Sequence, residues 1–157
     1  MSIDHRKTYR AQLDRVRRFH NRMQGQHASH ADFQDMTWAF FQNCWHLHDW
    51  LKRDATLTGR RGKVLNAARA SGLLNIAHDV CNGAKHLVLD CPHSGTGASH
   101  RHDNLTIYPG QNRESEWECF IDDGMGHLIS GQQLARDCVA EWERILKANG
   151  LDVTPVD

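Results

Sequence analysis

The stretch FFQNCWHLHDWLKRD, residues 40–54, decides the fold. Phe40, Cys44, Leu47 and Leu51 recur at helical spacing. With Phe33 and Met36 upstream they make one apolar face of a helix from about Phe33 to Asp54. Almost opposite, His46, Asp49, Trp50 and Arg53 form a second stripe at i, i+3, i+4 and i+7. Trp38 and Trp45 flank that stripe, so the helix is apolar or aromatic on most sides. Such a helix belongs at the centre of a bundle or under a partner chain. Asp32 is its expected N-cap.

The next segment, TLTGRRGK (residues 56–63), reads as a short loop. Its GRRGK is not a phosphate-binding loop, because the GxxxxGK[ST] spacing is missing and Val64 stands where the hydroxyl should be. A third helix is expected from about Val64 to Leu89, with Leu65, Gly72, Ile76, Val80, Gly83 and Leu87 as its core face. Glycine costs about 1 kcal/mol against alanine inside a helix, so Gly72 and Gly83 imply close approach of a neighbouring helix or a ligand. LLNIAHDVCNGAKH (residues 73–86) also carries a polar line of Asn75, Asp79, Asn82 and His86, with His78 and Lys85 beside it. The short loop favours antiparallel packing of the second and third helices. The two polar stripes would then meet in one site made of His46, Asp49, Asp79, Asn82, Lys85 and His86.

Around this pair the other elements follow. Leu13, Val16, His20 and Met23 mark a first helix over residues 4–24. CPHSGTGASHRH (residues 91–102) is a glycine-rich loop, and short alternating runs punctuated by Gly110, Asp123-Gly124 and Gly126 predict strands over residues 103–130. A last helix begins near Gly131, buries Leu134, Cys138, Val139, Trp142, Ile145 and Leu146, and stops at Asn149-Gly150. The tail LDVTPVD is expected to fray. The predicted architecture is mainly α. It is a single domain over residues 1–157, a four-helix bundle with a small antiparallel β-meander inserted between helices three and four. Residues 91–130 supply the loop and sheet of that insertion.

The formal net charge is zero, which gives no global argument for nucleic acid or an acidic surface. The distribution is uneven. Residues 1–30 hold seven Lys/Arg against Asp4 and Asp14, and residues 114–157 hold ten Asp/Glu against Arg136, Arg144 and Lys147. A basic first helix and an acidic last segment can pair within the chain or between chains. No stretch approaches the ~20 apolar residues that span a bilayer. MSIDHRKTYR contains no apolar run of the kind a secretory signal needs. The five cysteines include no CxxC pair, and all five read as reduced packing thiols of a cytosolic protein.

Carboxylates and imidazoles gathered in a partly dry site can act as acids and bases, because burial and neighbours move their pKa values toward neutrality. In that case His86 or His46 is the acid/base, Lys85 stabilises charge on phosphate, and Asp79 orients a histidine. The same groups can hold a divalent metal, with His46, Asp49, Asp79 and His86 as candidate ligands; otherwise no cofactor is implied. Alternatively they are satisfied polar groups that fix helix register in a binding or assembly module. In such a module Trp38, Trp45 and Trp50 suit a homodimer interface or stacked bases. Cys91, His93, His100 and His102 do not have the spacing of a zinc motif. No GxSxG or HExxH occurs.

The signature FFQNCWHLHDWLKRD followed by HDVCNGAKH resembles a group of uncharacterised bacterial and phage helical proteins over about residues 10–90. A second likeness is to the HEPN domains, four-helix bundles that often dimerise and cleave RNA without metal. Their pattern of Arg, four to six residues, then His is matched by Arg15 to His20 and by Arg22 to His27. The resemblance implies a dimeric bundle acting on RNA or another phosphodiester.

Overall fold

The computed structural model describes residues 8–85, 105–109, 117–122 and 127–156. Among these the chain is mainly helical, with a small antiparallel sheet. The helices are α1 (Tyr9–Met23), α2 (His30–Arg53), α3 (Arg61–Ala70), α4 (Gly72–Lys85) and α5 (Gly131–Ala148), and the strands β1 (Leu105–Pro109), β2 (Trp117–Asp122) and β3 (Leu128–Ser130) lie between α4 and α5.

α2 is the axis of the molecule. At 24 residues it is about 36 Å long. It packs against α1, α3, α4 and α5. Its predicted face is buried at Phe33, Phe40, Cys44, Leu47 and Leu51, and Thr37, Phe41 and His48 are buried beside it. The apolar stripe is therefore wider than one face, and covering it takes helices on several sides. Its start differs from expectation by three residues. Ser29, not Asp32, is the N-cap: its Oγ accepts from Asp32 N at 3.1 Å, while the Asp32 carboxylate reaches back to Ala28 N at 3.0 Å. This reciprocal arrangement satisfies two donors at the helix start.

The expected third helix is two helices. Ser71 adopts an extended ψ of 117° and caps α4, its Oγ accepting from Leu74 N at 3.4 Å. The break resets the helical phase. Leu74, Ala77, Val80 and Cys81 are buried on α4, whereas Gly72 is exposed and a Cβ there would meet nothing within 4 Å. Gly72 is thus a helix-start residue, not a point of close approach. Leu87 and His86 lie outside the described residues.

α5 closes the core with Leu134, Ala135, Cys138, Trp142, Ile145 and Leu146. Trp142 Nε1 donates to the α2 carbonyl of Cys44 at 3.0 Å, tying the two helices where neither side is wet. The helix ends as expected at Gly150, whose φ is 70°; Leu151 N donates to Leu146 O at 2.9 Å and Gly150 N to Lys147 O at 2.9 Å. This Schellman arrangement needs a left-handed residue, which glycine supplies without strain. The sheet has the order β1-β2-β3, with Ile107 opposite Cys119 and Ile121 opposite Ile129. Cys119 and Ile121 point into the core. Gln132, in the first turn of α5, pins β2 by donating to Trp117 O at 2.9 Å and accepting from Cys119 N at 3.2 Å.

The tail does not fray through residue 156. Tyr9 Oη donates to Asp152 O at 2.9 Å, Arg17 to Val153 O at 2.7 Å, and Arg10 to Thr154 O at 2.9 Å. The Asp14 carboxylate accepts from Val156 N at 2.6 Å and pairs with Arg17 at 2.9 Å, and Arg17 also pairs with Glu143 at 2.8 Å. The basic first helix and acidic last segment therefore meet within one chain.

Two glycines give opposite predictions. Gly72→Ala is expected to raise unfolding free energy by about 0.4–1 kcal/mol, because only the unfolded chain loses freedom. Gly131→Ala would drive a methyl into Cys119 Sγ and to 3.3 Å from Cys119 O, and is expected to cost about 1–3 kcal/mol. Urea denaturation of both variants checks the signs. Asp14→Ala removes the bond to Val156 N and the ion pair that holds Arg17, and is expected to cost about 1–3 kcal/mol in the same assay. An unchanged midpoint would mean that the tail contributes nothing to stability.

Candidate functional site

The stripes identified on α2 and α4 do not merge into one site among the described residues. They are divided between two cavities that share Asp49. The first, about 500 Å³, is lined by His46, Asp49, Trp50 and Arg53. The second, about 390 Å³, is lined by Trp45, His48, Asp49, Arg69, Asn75 and His78. The cause is the rotation of α2: Trp45 and His48 face α4, and His46 and Trp50 are turned toward α1.

α1 completes the first cavity. Gln12 is fully buried and donates to Asn43 O at 2.9 Å, while its Oε1 accepts from Arg15 at 3.1 Å. This bridge aims the Arg15 guanidinium over the Trp50 ring, 5.5 Å from its centroid. A cation above the indole face is attracted by the ring quadrupole. Arg53 makes no hydrogen bond or ion pair with another described residue. The cavity thus joins an uncommitted guanidinium, an imidazole, a half-buried indole and an exposed carboxylate.

The second cavity centres on an aromatic stack. The Trp45 indole lies 3.8 Å from the His78 ring at 12° and 4.7 Å from the His48 ring at 8°. Asn82 Nδ2 contacts His78 Nε2 at 2.9 Å. The amide nitrogen can only donate, so Nε2 accepts and the neutral ring carries its proton on Nδ1. His48 is only 5% exposed, and neither ring nitrogen has a hydrogen-bond partner. Its Nδ1 lies 3.6 Å from Asp49 Oδ1, beyond hydrogen-bond reach. Burial lowers the His48 pKa below its ordinary value; the Asp49 carboxylate opposes this, and Arg69 and Lys52 reinforce it.

Each expected site residue can now be placed. His46 and Asp49 share the first cavity. Asp79 is fully buried on α4 and lines neither cavity. Asn82 is half-buried and holds His78. The Lys85 side chain and His86 lie outside the described residues, as does the loop with Cys91, His93, His100 and His102. Among the described residues no three His, Cys, Asp or Glu groups are arranged to hold a metal ion. Cys44, Cys81, Cys119 and Cys138 are buried and form no disulfide. Burial pushes the Cys119 thiol up to about 12, which suits packing and not nucleophilic chemistry. Arg15 and His20 are set against different rings of α2, Trp50 and Phe40, about 15 Å apart along the axis. His27 Nε2 donates to Met23 O at 3.1 Å, near the end of α1. The residues missed at sequence level are His48, Arg69 and Trp45 as cavity-lining groups. His48 sits two residues from His46 and so points elsewhere, which was visible; its pairing with α4 depended on the break at Ser71.

Comparison of the chain with protein families, with curated proteins and with solved structures finds no match. No helix among the described residues is long and apolar enough to cross a membrane.

The depressed histidines make stability depend on pH. Burial lowers both His48 and His20, with Arg136 adding to the effect at His20. Folded, these rings stay neutral below about pH 6.5, while the unfolded chain takes up protons there. Stability is therefore full above that value, falls as pH drops below it, and levels off below the folded pKa values. Urea unfolding at about pH 7.5 and 5.5 should show the loss, and His48→Phe should reduce it. Equal or greater stability at the lower pH would contradict the assignment.

Proposed function

We propose that this protein binds and cleaves single-stranded RNA, or a related phosphodiester, at the cavity of His46, Asp49, Trp50 and Arg53. One observation carries the reading: the uncommitted Arg53 guanidinium shares a cavity with an imidazole, a carboxylate and a half-buried indole. A guanidinium suits phosphate, to which it can donate two parallel bonds. An indole stacks bases regardless of sequence. His46 is the group for acid–base chemistry at the attacking or leaving oxygen, and Asp49 its orienting carboxylate. Arg53 takes the charge-stabilising role that the sequence pattern gave to Lys85, and Asp49 the orienting role given to Asp79. Arg15, held over Trp50, adds positive charge at the edge.

The likeness to HEPN domains belongs to this proposal, since Arg15 opens the Arg–His pattern and lies over the Trp50 ring of the cavity. So do a four-helix bundle in which α3 and α4 form one broken leg, a homodimer, and a cytosolic location. The bundle is supported by helices packed around α2, and the cytosolic location by buried cysteines that form no disulfide among the described residues.

The test uses fluorescently labelled single-stranded RNA in excess EDTA. Wild-type protein should cleave it. His46→Ala should lower the rate about 10²-fold or more while leaving thermal unfolding unchanged. Arg53→Ala should weaken binding about tenfold and flatten its dependence on salt. Intact RNA, with no binding by anisotropy, would overturn the proposal. Cleavage that vanishes in EDTA and returns with a divalent ion would replace it by metal-dependent hydrolysis.

A further inference from the structure

We infer that the second cavity, between α2 and α4, binds the phosphate group of a small hydroxyl-bearing phosphate monoester, with Arg69 and His48 as its anchors. This goes beyond the RNA reading and does not rest on it, because its anchors, Arg69 and His48, are not among the catalytic groups proposed above; Asp49 alone borders both cavities.

The starting observation is His48. A buried polar group without a partner costs free energy, and native structures contain few such groups. His48 is 5% exposed, has neither ring nitrogen bonded, and lines an open cavity of about 390 Å³. Among the described residues the nearest charged group is Asp49, its Oδ1 3.6 Å from His48 Nδ1 and beyond hydrogen-bond reach, so a ligand in that cavity is a partner that would satisfy the ring. The chemistry of the ligand follows from what else lines the space. Arg69 is exposed, and its guanidinium makes no hydrogen bond or ion pair with another described residue. It stands near enough to His48 to act on its charge. A cation beside an imidazole calls for an anion that can accept from both, and a phosphate oxygen does so well. The Asn75 amide, which also lines the cavity, donates to Arg69 O at 3.0 Å. It ties the end of α3 to α4 and fixes the stem from which Arg69 extends.

Two features extend the assignment past a bare anion. The cavity is several times larger than a phosphate group, so the rest of the ligand has space there. Asp49 stands at the rim with its side chain 55% exposed, and a carboxylate can only accept. Its Oδ1 lies 3.6 Å from His48 Nδ1, which leaves the phosphate to Arg69 and His48 Nε2 and lets the carboxylate accept from a hydroxyl of the same ligand. Two donors beside one acceptor therefore select an anion that carries hydroxyl groups. The Trp45 face is already covered by the His78 and His48 rings, so this cavity offers little for base stacking. A sugar phosphate and the ribose phosphate of a nucleotide share the required chemistry.

The probes are ribose 5-phosphate, adenosine 5′-monophosphate and inorganic phosphate, titrated into the full chain at constant ionic strength. Nuclear magnetic resonance of the histidine ring nitrogens is the readout. Ribose 5-phosphate should shift the His48 signals and move its titration to higher pH, because the bound phosphate favours the imidazolium. Inorganic phosphate should bind more weakly. Equal affinity for adenosine 5′-monophosphate would identify the ligand as nucleotide-like, and weaker affinity as a free sugar phosphate. Arg69→Ala, a surface change that leaves folding intact, should weaken binding about ten- to hundredfold. His48→Gln should do the same, while Arg53→Ala should leave it unchanged. Absence of any His48 shift, or full affinity in Arg69→Ala, would overturn the inference. Binding abolished by Arg53→Ala alone would also overturn it, by assigning the phosphate to the other cavity.

Discussion

A helix with apolar groups round most of its circumference can be stable in water only if other elements surround it, and α2 sets that demand here. Its buried residues, from Phe33 to Leu51, include three large phenylalanines and lie on more than one face. α1, α4 and α5 answer the demand from different directions, and each is fastened by one specific side-chain contact as well as by packing. Gln12 bonds the Asn43 carbonyl, the His78 ring lies on Trp45, and Trp142 bonds the Cys44 carbonyl. Packing supplies most of the stability, since each of these contacts contributes only about 1 kcal/mol. Their value is directional: each permits one register of a neighbour against α2.

That geometry explains why the polar groups of α2 divide between two cavities. On a helix, successive residues turn by about 100°, so His46 and His48 cannot serve one site. Once Trp45 and His48 are committed to α4, His46, Trp50 and Arg53 must open toward α1. Asp49 lies between the two directions and borders both cavities. α4 presents Ala77, Val80 and Cys81 to the core, and Asp79, nearly opposite them on the helix, is buried as well.

The core faces of α1, α2 and α5 were legible because each has an uninterrupted helical period, and Gly150 stopped α5 by its own conformational preference. The break in the third helix was legible in principle. Ala70-Ser71-Gly72 holds a good capping residue followed by a poor helix former, but a continuous apolar period on both sides concealed it. Missing that break shifted the expected face of α4, and with it the partners of the polar stripe. The tail was not legible, because the two apolar residues it docks, Leu151 and Val153, follow no helical or strand period. Beyond those two, it is held by backbone groups bonded to Tyr9, Arg10, Asp14 and Arg17, which are contacts that composition cannot reveal. The opposite charges at the two ends did point to the pairing, through Arg17 and Glu143.

The division between cavities also separates two kinds of chemistry. In the first, the ionisable groups are near solvent, and the guanidinium and imidazole are accessible to a long, flexible substrate. In the second, His48 is dry and held between an indole and a carboxylate, so its charge state depends on what enters the cavity. Asp49 couples the two. If both cavities are occupied as proposed, a ligand that engages Asp49 from the α4 side alters the field at His46, about one helical turn away, and the two sites are coupled through that carboxylate.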